Sequence, residues 1–200
     1  WSRAQFAARA MLPIASGGWV VATYGTPTGQ SGIDAALLRL TPDGRIDRTY
    51  GDNGYDRIDA VPGRSGVDVL HAATVDTEGR LLFAGWNAVP GAVQNRGVVL
   101  RLLPDGRRDP AFGRDGVQSV AAPGGLSSLA LFADAAGVVL AGTHADNVLG
   151  TSGVVVRLDT QGALDPGFGQ EAVVELGNLG AVRDVLRDGD GYLLLASSIE

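Results

Sequence analysis

Short apolar runs separated by turn-forming residues recur along the chain and predict β-strands. In the segment 67–75, every second position is held by Val67, Val69, His71, Ala73 and Val75. A period of two residues is typical of a strand with one face turned towards a core. We therefore expect a strand over residues 67–75 with these five side chains on one face.

Three further strands follow in the same stretch. Asp76 and Gly79 bound a turn, because Asp can bond its own backbone and Gly accepts a positive φ. The apolar runs 81–85, 97–102 and 117–120 then predict the second, third and fourth strands, with a loop at 86–96. No stretch keeps a 3.6-residue apolar period, so we expect no long helix.

The four-strand pattern repeats with a period of about 59 residues. A block with an Arg, a Gly-containing turn, an Asp and an aromatic residue begins at Arg39, Arg101 and Arg157. A second block, a turn followed by an apolar run, begins near residues 18, 79, 137 and 191. Two independent blocks with one shared period indicate a repeat protein.

The third strand of each repeat is apolar on both faces, as the segments 37–40, 98–102 and 154–158 show. Such a strand is covered on both faces. Sheets stacked around an axis provide that cover, so the sequence predicts an all-β fold, a β-propeller of four-stranded antiparallel blades. The expected blades are residues 1–60, 61–121 and 122–177, with a partial blade at 178–200.

The 200 residues hold about 3.4 repeats, which predicts an open arc with exposed terminal faces. We therefore expect a fragment of a larger propeller. Its missing blades would come from the rest of a longer chain or from a second copy of this one.

The repeated blocks resemble a known family. Arg101-Leu-Leu-Pro-Asp-Gly-Arg-Arg-Asp109-Pro-Ala-Phe112-Gly, joined to Asp76-Thr-Glu-Gly-Arg-Leu-Leu-Phe-Ala-Gly85, is similar to the delta-60 repeat of bacterial β-propeller-like proteins. The third copy departs from the pattern, with Gln161 in place of Asp and Ala172 in place of Gly. The resemblance implies a propeller and an extracellular or cell-surface location, and it implies no reaction.

The composition and charge of the chain argue against several classes of binding partner and site. The chain has a net charge of −6, and all 16 of its basic residues are Arg. A negative chain without a basic run does not suit nucleic acid, and no apolar run is long enough to cross a bilayer. There is no Cys, which excludes disulfides and thiolate chemistry. We expect no cofactor and no bound metal, since the Asp188–Gly191 segment, which hints at a calcium loop, coincides with a hairpin turn.

Each repeat carries an Arg and an Asp eight residues apart. The pairs are Arg39 with Asp47, Arg101 with Asp109, and Arg157 with Asp165. An Arg between apolar neighbours needs a charged partner, which favours one internal ion pair per blade over a repeated anion site.

One aromatic position recurs with the pairs. It holds Tyr50, Phe112 and Phe168. These rings suit a plug between blades better than a stacking surface for a sugar or base.

Residues that break the repeat are the candidates for function. We place them in the loops between second and third strands, at 24–32, 86–96 and 143–152, which lie at one end of a propeller. The candidates are Trp86, Asn87, Gln94, Asn95, His144, Asp146 and Asn147. They suit binding of a protein or a glycan. The alternative is a propeller enzyme, a saccharide hydrolase or lyase, with catalytic residues from several blades. His144 and Asp146, two residues apart, are its candidate general base and orienting acid, and no nucleophile is fixed near them.

Overall fold

The computed structural model describes residues 6–25, 34–58, 67–88, 91, 94–146, 150–177 and 180–197. Fourteen strands lie in these ranges. They are β1 Phe6–Pro13, β2 Trp19–Gly25, β3 Asp34–Leu40, β4 Tyr55–Ile58, β5 Val67–Val75, β6 Leu81–Ala88, β7 Arg96–Leu102, β8 Val117–Val120, β9 Ser127–Asp134, β10 Gly137–Asp146, β11 Gly150–Leu158, β12 Val173–Glu175, β13 Ala181–Asp188 and β14 Gly191–Ser197.

The strands form one sheet per repeat. β1 to β4, β5 to β8 and β9 to β12 each make a four-stranded antiparallel sheet in chain order, and β13 pairs with β14. Consecutive strands are therefore neighbours within each sheet. The predicted all-β fold is confirmed.

The cores lie between consecutive sheets. One joins the first and second sheets, a second joins the second and third, and the last joins the third and fourth. In β7, Leu100 belongs to the first of these cores and Val99 to the second. Both faces of this strand are therefore buried, which confirms the prediction from its two-sided apolar pattern, and the sheets stack as propeller blades.

The described sheets form an open series. The first strands follow one another, since β1 contacts β5, β5 contacts β9 and β9 contacts β13. Among the described strands of the fourth sheet, β13 and β14 pair only with each other. Met11 on the first sheet is 56% exposed and Leu195 on the fourth is 63% exposed, so apolar side chains face outward at both ends of the series.

A β-bulge in the first strand of each sheet sets the register. In the second sheet the pairing skips His71, since Leu70 pairs with Gly85 and Ala72 with Ala84. The predicted alternation over 67–75 is therefore wrong beyond this point: Leu70 and Ala73 contact the core shared with the first sheet, while Ala72 packs on the next core. A bulge adds one residue to one strand and so reverses the faces that follow.

The bulge also explains why the second strands are longer than predicted. β6 continues to Ala88 and β10 to Asp146, so Trp86, Asn87, His144 and Asp146 lie in strands and not in loops. Gly85 had marked the predicted strand end. Instead it lies where the bulged strand approaches, because a Cβ at Gly85 would come within 1.7 Å of the Val69 carbonyl oxygen.

The third copy keeps the backbone of the other two despite its sequence change. Gly54 and Gly116 have φ of 98° and 83°, and Ala172 at the equivalent place has φ of 76°. A left-handed conformation is costly for Ala, so the surrounding repeat imposes the turn on this residue.

We expect Gly85→Ala to destabilise the chain by about 2–3 kcal/mol, because the added methyl group meets backbone that cannot rotate away. The matched control is Gly191→Ala, where the nearest atom to a Cβ is 3.7 Å away and the backbone φ is ordinary. The control should change the free energy of unfolding by about 0.5 kcal/mol or less. Denaturant unfolding measures both, and equal effects would contradict the close approach.

Candidate functional site

The Arg and Asp of each repeat form an ion pair across the end of the third strand. The Arg Nε to Asp Oδ2 distances are 3.2 Å for Arg39–Asp47, 2.8 Å for Arg101–Asp109 and 3.2 Å for Arg157–Asp165. The other oxygen of each Asp accepts a hydrogen bond from the backbone NH two residues further on. Each Asp therefore bonds the Arg of the third strand with one carboxylate oxygen and the turn with the other.

Each guanidinium also lies over the aromatic residue of its own repeat. The distances from Cζ to the ring centroid are 5.9 Å for Tyr50, 4.5 Å for Phe112 and 5.9 Å for Phe168. This arrangement allows a cation–π attraction. We call each Arg, Asp and aromatic set a trio.

The second trio joins the second blade to the third. Arg101 Nη1 donates a hydrogen bond to the Thr160 carbonyl at 2.6 Å, and the buried Phe112 ring lies against Gly162. The Arg101 and Asp109 side chains are 3% and 6% exposed, whereas those of Arg157 and Asp165 are 23% and 28% exposed. Burial, followed by the charge of Arg80, lowers the pKa of Arg101, and Asp109 opposes this shift. The second trio therefore acts as an inter-blade contact and offers no free cation to an anionic ligand.

A second charged contact between blades escaped the sequence analysis. Arg108 of the second blade donates two hydrogen bonds of 2.7 Å to the Asp56 carboxylate of the first and one of 2.8 Å to the Arg57 carbonyl. The hydrogen bond to Asp56 raises the pKa of Arg108. A comparison of the repeats could have revealed this contact, because Arg108 is charged whereas the equivalent residues of the other copies, Ile46 and Leu164, are apolar.

The candidate binding residues lie at one end of the blades. Trp86 in β6 and His144 in β10 both follow the bulge, near the point where the second strand leads to the third. We call this the loop end; among the described residues it comprises the last residues of β2, β6 and β10 together with Gln94 and Asn95 before β7. The remaining residues of the predicted loops, 26–32, 89–90, 92–93 and 147–149, lie outside the described ranges. Asn147 and the side chain of Asp146 lie outside the described residues.

Two of the candidate residues are buried and form hydrogen bonds within the protein. Asn87 Nδ2 donates a hydrogen bond to Asp68 Oδ1 at 2.7 Å, and both residues are buried. His144 is also buried, and its Nδ1 lies 3.1 Å from the Pro123 carbonyl oxygen. As placed, neither side chain is available to a partner.

The other candidates are more accessible. Gln94 is exposed and Trp86 is half-buried. Asn95, also half-buried, donates a hydrogen bond from Nδ2 to Ser127 Oγ at 2.9 Å across to the third sheet. Trp86 and Gln94 are therefore the accessible part of the predicted set.

A depression of about 660 Å³ lies beside the link between the second and third sheets. It is lined by Pro123, Gly169, Gln170, Glu171, Val173, Val174 and Glu175. Its charged side chains are the carboxylates of Glu171 and Glu175. It shares Pro123 with the buried His144.

Within the described ranges, no three His, Asp or Glu side chains come together in a way that could hold a metal ion. The same residues include no helix long and apolar enough to cross a membrane.

Comparison with known proteins gives a fold and no activity. A family model described as "Domain of unknown function (DUF5122) beta-propeller" matches residues 15–50 and 79–112. Each matched segment contains the second and third strands and ends at the aromatic residue of a trio, Tyr50 or Phe112. No curated protein matches the chain. With the stacked sheets, the match shows that the chain is built from β-propeller repeats.

We expect Asp109→Asn to destabilise the chain by about 3–5 kcal/mol, because it removes the carboxylate that is bonded to the buried Arg101 guanidinium. The substituted amide keeps an oxygen for the Ala111 NH, so the turn itself is preserved. Asp165→Asn makes the same change in the more exposed third trio and should cost about 1 kcal/mol or less. Urea unfolding compares the two, and equal losses would show that burial does not set the strength of the pair.

We expect Tyr50→Phe to stabilise the chain by about 1 kcal/mol, because the Tyr50 hydroxyl is buried without a hydrogen-bond partner. The equivalent residues are already Phe112 and Phe168. The reverse change, Phe112→Tyr, buries a new hydroxyl and should be destabilising by about 1–3 kcal/mol.

Alkaline pH gives an independent readout of the same hydroxyl. Burial, reinforced by the charge of Asp56, raises the pKa of Tyr50 above its ordinary value of 10.0. The unfolded chain therefore loses this proton first, and the free energy of unfolding should decrease as the pH rises above 10. Tyr50→Phe should weaken that decrease, and an unchanged pH profile would contradict the burial of the hydroxyl.

Proposed function

We propose that this chain is a non-catalytic interaction scaffold that binds a protein or glycan partner at the loop end of its blades. The observation that carries the proposal is that the repeated polar residues are paired within the protein, whereas other residues at one end of the blades are exposed. The repeated Arg and Asp residues bond one another, while Gln94 is exposed and Trp86 is partly exposed at the loop end.

An aromatic position at the loop end supports this proposal. Tyr24 in β2 and Trp86 in β6 occupy equivalent places, and Thr143 takes the same place in β10. The Tyr24 hydroxyl accepts a hydrogen bond of 2.7 Å from Arg9 Nη2, and the guanidinium lies 4.7 Å from the ring centroid. Aromatic rings with a polar edge suit contact with a protein loop or the face of a sugar.

The rigidity of the blades also supports binding at this end. β2, β6 and β10 lie inside their sheets and pack against neighbouring blades, so their last described residues hold fixed positions. Recognition residues commonly lie on loops held by a rigid scaffold.

Catalysis at His144 is the less favoured alternative. A general base must come within hydrogen-bonding distance of its substrate. His144 Nε2 is buried against the second blade, so a substrate could reach it only if the blades moved apart.

The resemblance to the delta-60 repeat leads us to propose membership of that bacterial family, and with it an extracellular or cell-surface location. The support is the repeat block ending at Phe112. Neither inference bears on which partner is bound.

The test uses two defined probe sets, a glycan array and a phage-displayed peptide library. We expect at least one set to yield a ligand whose Kd rises about tenfold or more in Trp86→Ala or Gln94→Ala. Arg45→Ala is the control, since its side chain is 85% exposed in the turn after β3, at the opposite end of the blade. Trp86→Phe provides a milder change if Trp86→Ala does not fold.

Two results would overturn the proposal. One is that neither probe set yields a ligand for the folded chain. The other is a ligand whose affinity falls in Arg45→Ala and is unchanged in Trp86→Ala and Gln94→Ala, which would move binding to the other end of the blades.

A further inference from the structure

Three polar side chains of the third sheet face the second blade near the loop end. His144 in β10 pairs across the strands with Ser152 in β11, and Ser128 in β9 pairs with Gly142. Leu140 and Val154 point to the same side of this sheet and belong to the core between the second and third blades. We call His144, Ser152 and Ser128 the Ser–His cluster.

The cluster is closed off from the surrounding solvent. Ser128 is 0% exposed, Ser152 is 1% exposed and His144 is 6% exposed. Ser128 Oγ lies 3.2 Å from the place that a Cβ on Gly97 of the second blade would occupy, so the opposite blade covers it.

All three side chains carry a buried polar atom that lacks a hydrogen bond to the protein. The atoms are Ser128 Oγ, Ser152 Oγ and His144 Nε2. Each such group costs about 1–3 kcal/mol when it is left unpaired, and buried groups of this kind are usually satisfied by protein or by ordered water. Three of them on one buried face therefore indicate a ligand.

The chemistry of the cluster defines that ligand. The Pro123 carbonyl can only accept a hydrogen bond, so His144 Nδ1, which lies 3.1 Å away, carries the proton. His144 Nε2 is then an acceptor that needs a donor, while the two hydroxyls can donate or accept. An anion cannot donate to Nε2, and one imidazole with two hydroxyls is a poor metal site. A water molecule satisfies all three groups.

We propose that the Ser–His cluster binds internal water between the second and third blades. One water donates to His144 Nε2 and exchanges a hydrogen bond with Ser152, its cross-strand neighbour. Ser128, diagonal to His144 across the strands, contacts this water or a second one bonded to it. Internal waters of this kind make about three hydrogen bonds each.

The same kind of site recurs one blade earlier. Asn87 occupies in β6 the place that His144 holds in β10, and it faces the first blade. Its Nδ2 donates to Asp68, while its buried Oδ1 accepts no hydrogen bond from the protein. A polar residue thus presents a buried acceptor at each of these two blade interfaces, beneath the loop end. This inference stands apart from the proposed function, because it does not require a partner at that end.

Two measurements on the intact chain test the proposal. In a high-resolution crystal structure we expect electron density for a water within about 3 Å of His144 Nε2. In nitrogen-15 NMR spectra we expect the Nδ1–H tautomer of His144 and a cross-peak to slowly exchanging water. His71, the other His of the chain, is half-buried and serves as an internal reference.

The double variant Ser128→Ala and Ser152→Ala should lose or weaken the water cross-peak of His144, since the water loses two of its three partners. If the variant does not fold, the wild-type data decide. The proposal is overturned if the crystal structure shows no water density beside Nε2, or if His144 carries its proton on Nε2 and donates directly to a serine.

Discussion

The packing of each sheet against its neighbours is the constraint on which the rest of the structure depends. A strand such as β7 is apolar on both faces, with Leu100 on one side and Val99 on the other. A lone sheet would leave one of these faces in water. The repeat solves this by placing a blade on each side, so every blade is stabilised by surface that only another blade can cover.

The charged groups within the blade interfaces are tolerated because each forms ion pairs or hydrogen bonds with several neighbouring groups. Arg101 is neutralised by Asp109, lies over Phe112 and donates to Thr160 of the next blade. Arg108 and Asp56 form a second, non-repeated clamp between the first and second blades. Apolar contacts are non-directional, whereas these hydrogen bonds and ion pairs have a defined geometry. They therefore fix the position of one blade relative to the next. The Ser–His cluster follows the same logic with water in place of a charged partner.

The alternation of the second strands decides which side chains a partner can reach. β6 and β10 pair with their third strands without a register shift, so Asn87 and His144 face the preceding blade, where both are buried, and Trp86 lies on the other face of its strand. Gly85 and Gly142 make room for the bulged backbone, which is why the second strands continue beyond them.

The sequence by itself determined the features that depend on local pattern or spacing. The four-stranded repeat, the blade type and the Arg–Asp pairs that begin at Arg39, Arg101 and Arg157 follow from periodicity and from residues a fixed distance apart. Tertiary structure decided what depends on contacts between distant segments. No local pattern pairs Arg108 with Asp56, 52 residues away. The burial of His144 likewise follows from the neighbouring blade that covers its face of β10. The reversed faces of β5 follow from a backbone bulge, which the hydrophobic alternation of a single strand does not reveal.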